Sequence, residues 1–160
     1  MPIRKALPAD NSDAKALVQK SLTSFGLVAD FAGLDAAVGA IGLANTPNEI
    51  ELVAEVDGKL VGCLAVQRTQ AATAKLFGFH VDASAQGKGV GRALLTEGIA
   101  QAVARHFTRL DLETWGDMRA AVHLYESFGW VRGPDPLPES GADRFYYLAL
   151  PSKPCSSCAG

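Results

Sequence analysis

Long apolar runs are missing from this 160-residue sequence: none approaches the about 20 residues that a membrane-crossing helix needs. Met1-Pro2-Ile3-Arg4-Lys5 is not followed by an uninterrupted apolar stretch of signal-peptide length, so the cytoplasm is the expected location. Charge of one sign is missing too. Lys and Arg number 15 against 17 Asp and Glu, a formal net charge of -2, which argues against a dominant nucleic-acid-binding face and for a small or weakly charged partner. Cysteine is scarce, with three in all. Cys63 sits in an apolar run and reads as a small core residue, whereas Cys155 and Cys158 form one Cys-x-x-Cys among Pro151, Pro154, Ser156, Ser157 and Gly160. One such pair is half a zinc site, and no second ligand pair accompanies it. A thioredoxin-like motif would open a helix after a strand, which this one does not. No metal is expected, and 151–160 reads as a flexible tail.

The 48% hydrophobic content argues against disorder, and the length suits one domain with a proper core, expected over 1–150. Ile3 to Leu7 reads as a strand, followed by a turn at Pro8-Ala9-Asp10 and a helix from about Ser12 with Ala14, Leu17, Val18 and Leu22 on one face. Residues 26–48 place Phe31, Leu34, Val38 and Ile41 at helical spacing, but Gly33, Gly39 and Gly42 weaken that pattern to a loosely held helix. Ile50–Val56 and Lys59–Gln67 flank Asp57-Gly58 as a β-hairpin. Strands follow at Lys75–Val81, Arg109–Thr114 and Arg144–Leu150. A helix begins near Val90, with Val90, Ala93, Leu94, Ala100 and Val103 on its apolar face. Another carries Met118, Ala121, Val122, Tyr125 and Phe128 on one stripe and ends at Gly129, a C-cap position. Trp130-Val131 starts a short strand, and Pro134, Pro136 and Pro138 interrupt the chain before its last strand.

Between strand and helix lies Gln86-Gly87-Lys88-Gly89-Val90-Gly91-Arg92-Ala93. Glycine permits positive φ and close approach of an anion to the main chain, while the free amides and dipole of a helix's first turn favour negative charge. A phosphate-bearing ligand is therefore expected. A Walker loop is excluded, because no Gly-Lys-Ser/Thr follows at the required spacing, and the dinucleotide fingerprint fails because Arg92 or Leu94 falls where its third glycine belongs.

What remains is Gln-x-x-Gly-x-Gly, carried by Gln86, Gly89 and Gly91, which resembles the acyl-CoA loop of the GNAT superfamily of N-acetyltransferases. Met118-Arg119-Ala120-Ala121-Val122-His123-Leu124-Tyr125-Glu126-Ser127-Phe128-Gly129-Trp130 resembles that family's later Ala-x-x-Leu-Tyr-Glu-x-x-Gly-Phe stretch, and Leu60-Val61-Gly62 its hairpin. The resemblance spans roughly residues 3 to 150. It implies an α+β fold, an α/β/α mixed and mostly antiparallel sheet of six to seven strands, splayed at the CoA-binding strands and flanked by about four helices. It also implies acetyl-CoA as co-substrate, a primary amine of a small molecule, amino acid, peptide or protein as acceptor, and admits a homodimer.

Carried onto these residues, the backbone of Phe79, His80 and Val81 pairs with the pantetheine amides, while the main chain of Gln86, Gly87, Lys88, Gly89, Val90, Gly91 and Arg92 grips the pyrophosphate. Lys88 and Arg92 are also candidates for charge-assisted contacts with phosphate. Tyr125 matches the family's general acid, and a phenol of ordinary pKa, about 10, stays protonated to meet a thiolate.

Two departures stand out. Lys75 occupies the position of the glutamate that several members carry as a base, and Met118 replaces a common asparagine. In a regular strand Phe77, Phe79 and Val81 would share the face of Lys75, and His80 would point the other way as a packing or half-exposed residue. His123 lies two residues before Tyr125, on another helical face, and reads as a surface histidine. Glu113, or a water chain with no single base, stays open as the proton acceptor. The acceptor pocket is expected from about 24–48 and 132–143, and the loop carboxylates Asp30, Asp35, Glu49, Glu139 and Asp143 would suit a cationic acceptor. A non-catalytic acyl-CoA sensor on the same fold is the alternative that the missing carboxylate favours.

Overall fold

The computed structural model describes residues 3–151; Cys155 and Cys158 lie outside them. Asp57 (φ 52°) and Gly58 (φ 77°) are both left-handed, the conformation of a tight hairpin turn. They join strand β2 (Ile50–Val56) to β3 (Lys59–Gln70), and β4 (Thr73–Val81) returns antiparallel to β3. With β1 (Ile3–Lys5), β5 (Arg109–Thr114), β6 (Val131–Arg132) and β7 (Arg144–Ala149), these form a seven-stranded sheet of order β1-β2-β3-β4-β5-β7-β6. Only β4 and β5 run parallel, and they pair only from Thr73–Arg109 to Lys75–Asp111. Beyond that point the two strands part, which is the expected splay.

Each face of the sheet buries one set of helices. On one side lie α3 (Val90–Ala104) and α4 (Arg119–Ser127), packed over Leu52, Leu64, Val66, Leu76 and Leu112. On the other lie α1 (Asn11–Ser24) and the single turn α2 (Ala36–Gly39), packed over Val53, Cys63 and Ala65. Helix α1 buries Ala14, Leu17, Val18 and Leu22, the face its sequence spacing predicts, each Leu or Val contributing about 1.5–3 kcal/mol when fully buried.

Several expectations need correction. The first strand ends at Lys5, because Leu7 already leads into a turn in which the Leu7 amide donates to Asp10 Oδ2 at 2.7 Å. The β3–β4 hairpin is longer than expected, with β3 running to Gln70 and β4 starting at Thr73. Ala100 is exposed, and α3 instead buries Leu95, Gly98 and Ala102, because Gly98 lets the Leu64 side chain approach the helix backbone. In 26–48 only α2 is helical, and Leu34 is exposed although Val38 and Ile41 are buried.

Nor is the second half of that segment loosely held. Asn11 Nδ2 donates to the carbonyls of Gly39 (3.0 Å) and Ile41 (2.8 Å). The buried Glu51 carboxylate accepts from Gly42 N, Thr46 Oγ1 and Asn48 Nδ2 at 2.8–3.1 Å. Polar side chains therefore fix what weak helix propensity leaves free.

Candidate active site

The second half of β4 is irregular. Ala65 pairs with Phe77 but Cys63 pairs with His80, so one extra residue is accommodated opposite Leu64. Gly78 absorbs this bulge at φ +62°, where a β-carbon would also overlap the Val38 Cγ2 methyl. Inward and outward positions exchange across it. Leu76 and Phe79 both enter the α3–α4 core, whereas Phe77 packs on the α1–α2 side and His80 Nδ1 lies 2.8 Å from Ser21 Oγ of α1. The regular-strand reading, with Phe79 and Val81 sharing the face of Lys75 and His80 opposed to it, is overturned by this single glycine.

The end of β4, the glycine loop and α4 enclose a groove of about 400 Å³. Of the residues singled out from sequence, Phe79, His80, Val81, Gln86, Gly87, Gly89, Val90, Gly91 and Arg92 line it, and Lys88 does not. Lys88 borders a separate open depression beside the β2–β3 turn. Gly87 (φ 78°) and Gly89 (φ 83°) need to be glycine for their backbone angle alone, since a β-carbon at either would meet open space. Gly91 needs it for room, because a β-carbon there would press on Leu124 and Phe79. The first α3 amide with an acceptor is Ala93 N, bonded to Gly89 O at 3.0 Å; among the described residues the amides of 87–92 donate to nothing. Arg92 is partly committed, its guanidinium 5.2 Å from the centre of the Phe128 ring and 3.4 Å from Ser127 Oγ.

A second cavity, of about 500 Å³, opens between the 27–38 segment, the splayed strands and 140–142. The two spaces share Phe79, His80, Met118 and Ala121. Tyr125 lines the second cavity, is 4% exposed, and stacks against Phe79, Trp130 and Tyr146 with ring centres 5.7–6.1 Å apart. Its hydroxyl has no hydrogen-bond partner among the described residues, and burial pushes its pKa well above that of an ordinary phenol. His123 is exposed on the rim of the groove.

Charge in the second cavity is sparse. Lys75 Nζ reaches across the splay to Glu113 Oε1 at 3.2 Å, both half-buried, so the strand facing Lys75 supplies a carboxylate. Of the loop carboxylates expected to favour a cation, only Asp35 lines this space. Glu49 is bound to Arg68 at 2.7 Å, and Asp143 accepts from Gly116 N at 2.8 Å. His80 keeps some accessible surface through the two cavities, yet desolvation of its ring lowers the imidazole pKa to about 4.

Sequence reasoning missed Ser21 of α1 and Phe25 just after that helix, which border the groove, and the Lys75–Glu113 pair. The bulge did leave a signal, a lone glycine inside an apolar strand. The other contacts join residues far apart in the chain and left none.

Residues 16–130 match the model of the acetyltransferase (GNAT) family. The chain belongs to the GNAT acetyltransferase family. An uncharacterised N-acetyltransferase of Schizosaccharomyces pombe is 30% identical over 147 residues, covering 90% of each chain. A mycothiol acetyltransferase of Beutenbergia cavernae is 35% identical over 75 residues, 47% of this chain, and the chain spans only 25% of that protein's length. Among solved structures, a GNAT acetyltransferase from Staphylococcus aureus Mu50 superposes with a TM-score of 0.79 at 18% identity, over 94% of this chain and 99% of that one. A GNAT acetyltransferase from Brucella melitensis in complex with acetyl-CoA does so at 0.69 and 23%, over 96% and 90%. These two likenesses are of fold. Among the described residues no helix is long and apolar enough to cross a membrane.

Proposed function

We propose that this GNAT protein transfers the acetyl group of acetyl-CoA to a primary amine of a small molecule, amino acid or protein by direct attack. The observation that carries this reading is the row of unpaired amides at 87–92, at one end of a groove that meets a cavity containing Tyr125. Six free donors in a glycine loop fit a pyrophosphate, and the backbone of β4 beyond Lys75, released from β5, fits an extended chain of amides.

Acetyl-CoA supplies an activated acyl carbon: the amine nitrogen bonds to it, the carbon–sulfur bond breaks, and a proton lost from nitrogen is balanced by one gained at sulfur. Tyr125 is the donor to sulfur, since its buried phenol keeps its proton at neutral pH. Glu113, held by Lys75 in the same cavity, accepts the ammonium proton directly or through water. Phe77, Leu112 and Val38 exclude bulk water from the acceptor and hold it near the thioester, where proximity lowers the barrier.

The test is a screen of amino acids, peptides, polyamines and aminoglycosides for thiol release with purified protein. Tyr125→Phe should lower turnover by about 10²–10⁴-fold while acetyl-CoA affinity holds. Equal loss of both would make the tyrosine structural. Lys75 in the glutamate's place favours a second reading, a non-catalytic acyl-CoA sensor. Binding of acetyl-CoA with background thiol release across the whole screen would select it.

A further inference from the structure

Two opposite charges meet on the wall of the second cavity, and most of the lining around them is apolar. Lys75 and Glu113 both line it, with their side chains 26% and 24% exposed. Strand register puts both on the cavity's side of the sheet. Lys75 pairs with Asp111 across β4 and β5, and Glu113 lies two residues further along β5, so the three side chains rise from one face. Phe77, two residues beyond Lys75 and still before the bulge, packs into the α1–α2 core, and Lys75 Nζ stands 5.1 Å from the centre of its ring. The pair therefore faces the 27–38 segment that bounds the cavity.

That segment is apolar even where it meets solvent. Val28 and Leu34 line the cavity yet are 83% and 60% exposed, and Leu27, Leu112 and Trp115 continue the apolar lining. A ligand that covers these side chains gains by their burial. The third charged residue of the lining, Asp35, is already engaged, its carboxylate accepting the Asp30 amide at 2.7 Å where α2 begins. A cavity of about 500 Å³ suits a small molecule.

These features set what the acceptor carries. A lone ammonium brought here meets Glu113 but also the Lys75 cation, which repels it. A carboxylate beside the amine changes the balance: it faces Lys75 while the ammonium faces Glu113, and each charge keeps a partner as water leaves. A peptide N-terminus, a polyamine or an alkylamine has no such carboxylate. Resting on the acetyl-transfer reading above, we infer that the acceptor is a free α-amino acid with an apolar side chain, its carboxylate on Lys75, its amine on Glu113 and its side chain against Val28 and Leu34. The amine proton goes to Glu113, nitrogen bonds to the acetyl carbon, and CoA leaves as the thiol with a proton from Tyr125. Lys75 binds the acceptor and transfers no proton.

The test measures thiol release at saturating acetyl-CoA with leucine, methionine and phenylalanine, each beside its amide, which keeps the amine and side chain but lacks the carboxylate. Serine probes the apolar wall, and a leucine-initiated peptide, spermidine and isoamylamine represent the other acceptor classes. The wild type should favour each free amino acid over its amide by about ten- to a hundredfold in kcat/KM, the worth of one hydrogen bond to a charged group. Lys75→Met should erase that ratio and Lys75→Arg should keep most of it; comparing ratios between proteins cancels the different basicity of the two amines. If Lys75→Met turns nothing over, the same ratio is read from calorimetric binding of leucine and leucinamide to the CoA complex. Leu34→Ser should lower the leucine-to-serine ratio by about fourfold, the worth of one buried methylene. Amides used as well as free amino acids by the wild type, or a ratio that survives Lys75→Met, overturn the carboxylate contact. Serine used as well as leucine overturns the apolar wall. Turnover of the peptide, polyamine or alkylamine without free amino acids overturns this acceptor class and leaves acetyl transfer standing, whereas no thiol release with any amine overturns both.

Discussion

Replacing Gly78 by alanine tests the bulge on which the placement of His80 depends. Two costs combine at this position. A β-carbon at φ +62° puts alanine in the left-handed region, at about 1–2 kcal/mol. The same carbon overlaps Val38 Cγ2, a methyl on a branched side chain that is 1% exposed and cannot swing aside, which adds about 1–3 kcal/mol of overpacking. The expected loss is about 3 kcal/mol, and for a domain of about 150 residues that is a fall in Tm of about 10 °C.

Differential scanning calorimetry of the wild type, Gly78→Ala, Val38→Ala and the double variant separates the two costs. Val38→Ala alone should lose about 2 kcal/mol from the deleted methyls. It should also remove the overlap, so the double variant should be more stable than the sum of the singles by about 1–3 kcal/mol. A Tm within about 2 °C of wild type, or strict additivity in the cycle, would refute a glycine-dependent bulge wedged against Val38.

Acid should expose the buried imidazole. Below about pH 6.5 the unfolded chain's His80 takes up a proton that the folded one refuses until about pH 4, so stability falls as pH drops through that window and is unaffected by this group above it. The loss is about 2 kcal/mol at pH 5, seen as a steeper Tm decline for the wild type than for His80→Gln between pH 7 and 5. Asp10, beside Arg4, and Asp82, bonded to Ser84 and Lys20, have pKa values below the usual carboxylate range, so their share is lost only at lower pH; parallel curves for the two proteins would refute the assignment. Glu51→Ala should strand the donors of Gly42, Thr46 and Asn48, costing about 3 kcal/mol in chemical denaturation and raising hydrogen exchange in 40–48; unchanged exchange would mean the segment is held elsewhere.

What the sequence revealed follows the range of the forces involved. The apolar face of α1, the Asp57-Gly58 hairpin and the glycine loop were legible because periodicity, turn chemistry and helix-terminus physics all act within a few residues. The helix expected over 26–48 shrank to one turn because its order comes from Asn11 and Glu51, outside the segment whose propensity was being read. The face assignment on β4 failed for a different reason. Period-2 alternation does not hold through Gly78, where one inserted residue reverses every side chain beyond it. The same slip that misassigned Phe79 and Val81 also turned His80 toward α1, where its ring meets Ser21.

Lys75 shows how a missing residue type can mislead when a site is read one strand at a time. Its cation stands where relatives by motif carry a carboxylate, and along β4 alone that looks like lost chemistry. Across the splay, however, β5 runs parallel to β4 and pairs with it only as far as Lys75–Asp111. Glu113, two residues further along β5 on the same face as Asp111, is therefore the first acidic side chain beyond the parting of the strands, and it meets Lys75 at 3.2 Å. A lysine at position 75 holds that carboxylate toward its own strand, whereas a glutamate would repel it. The departure at 75 and the carboxylate at 113 thus form one electrostatic unit, in which the strand that lost the acidic group fixes the strand that supplies it.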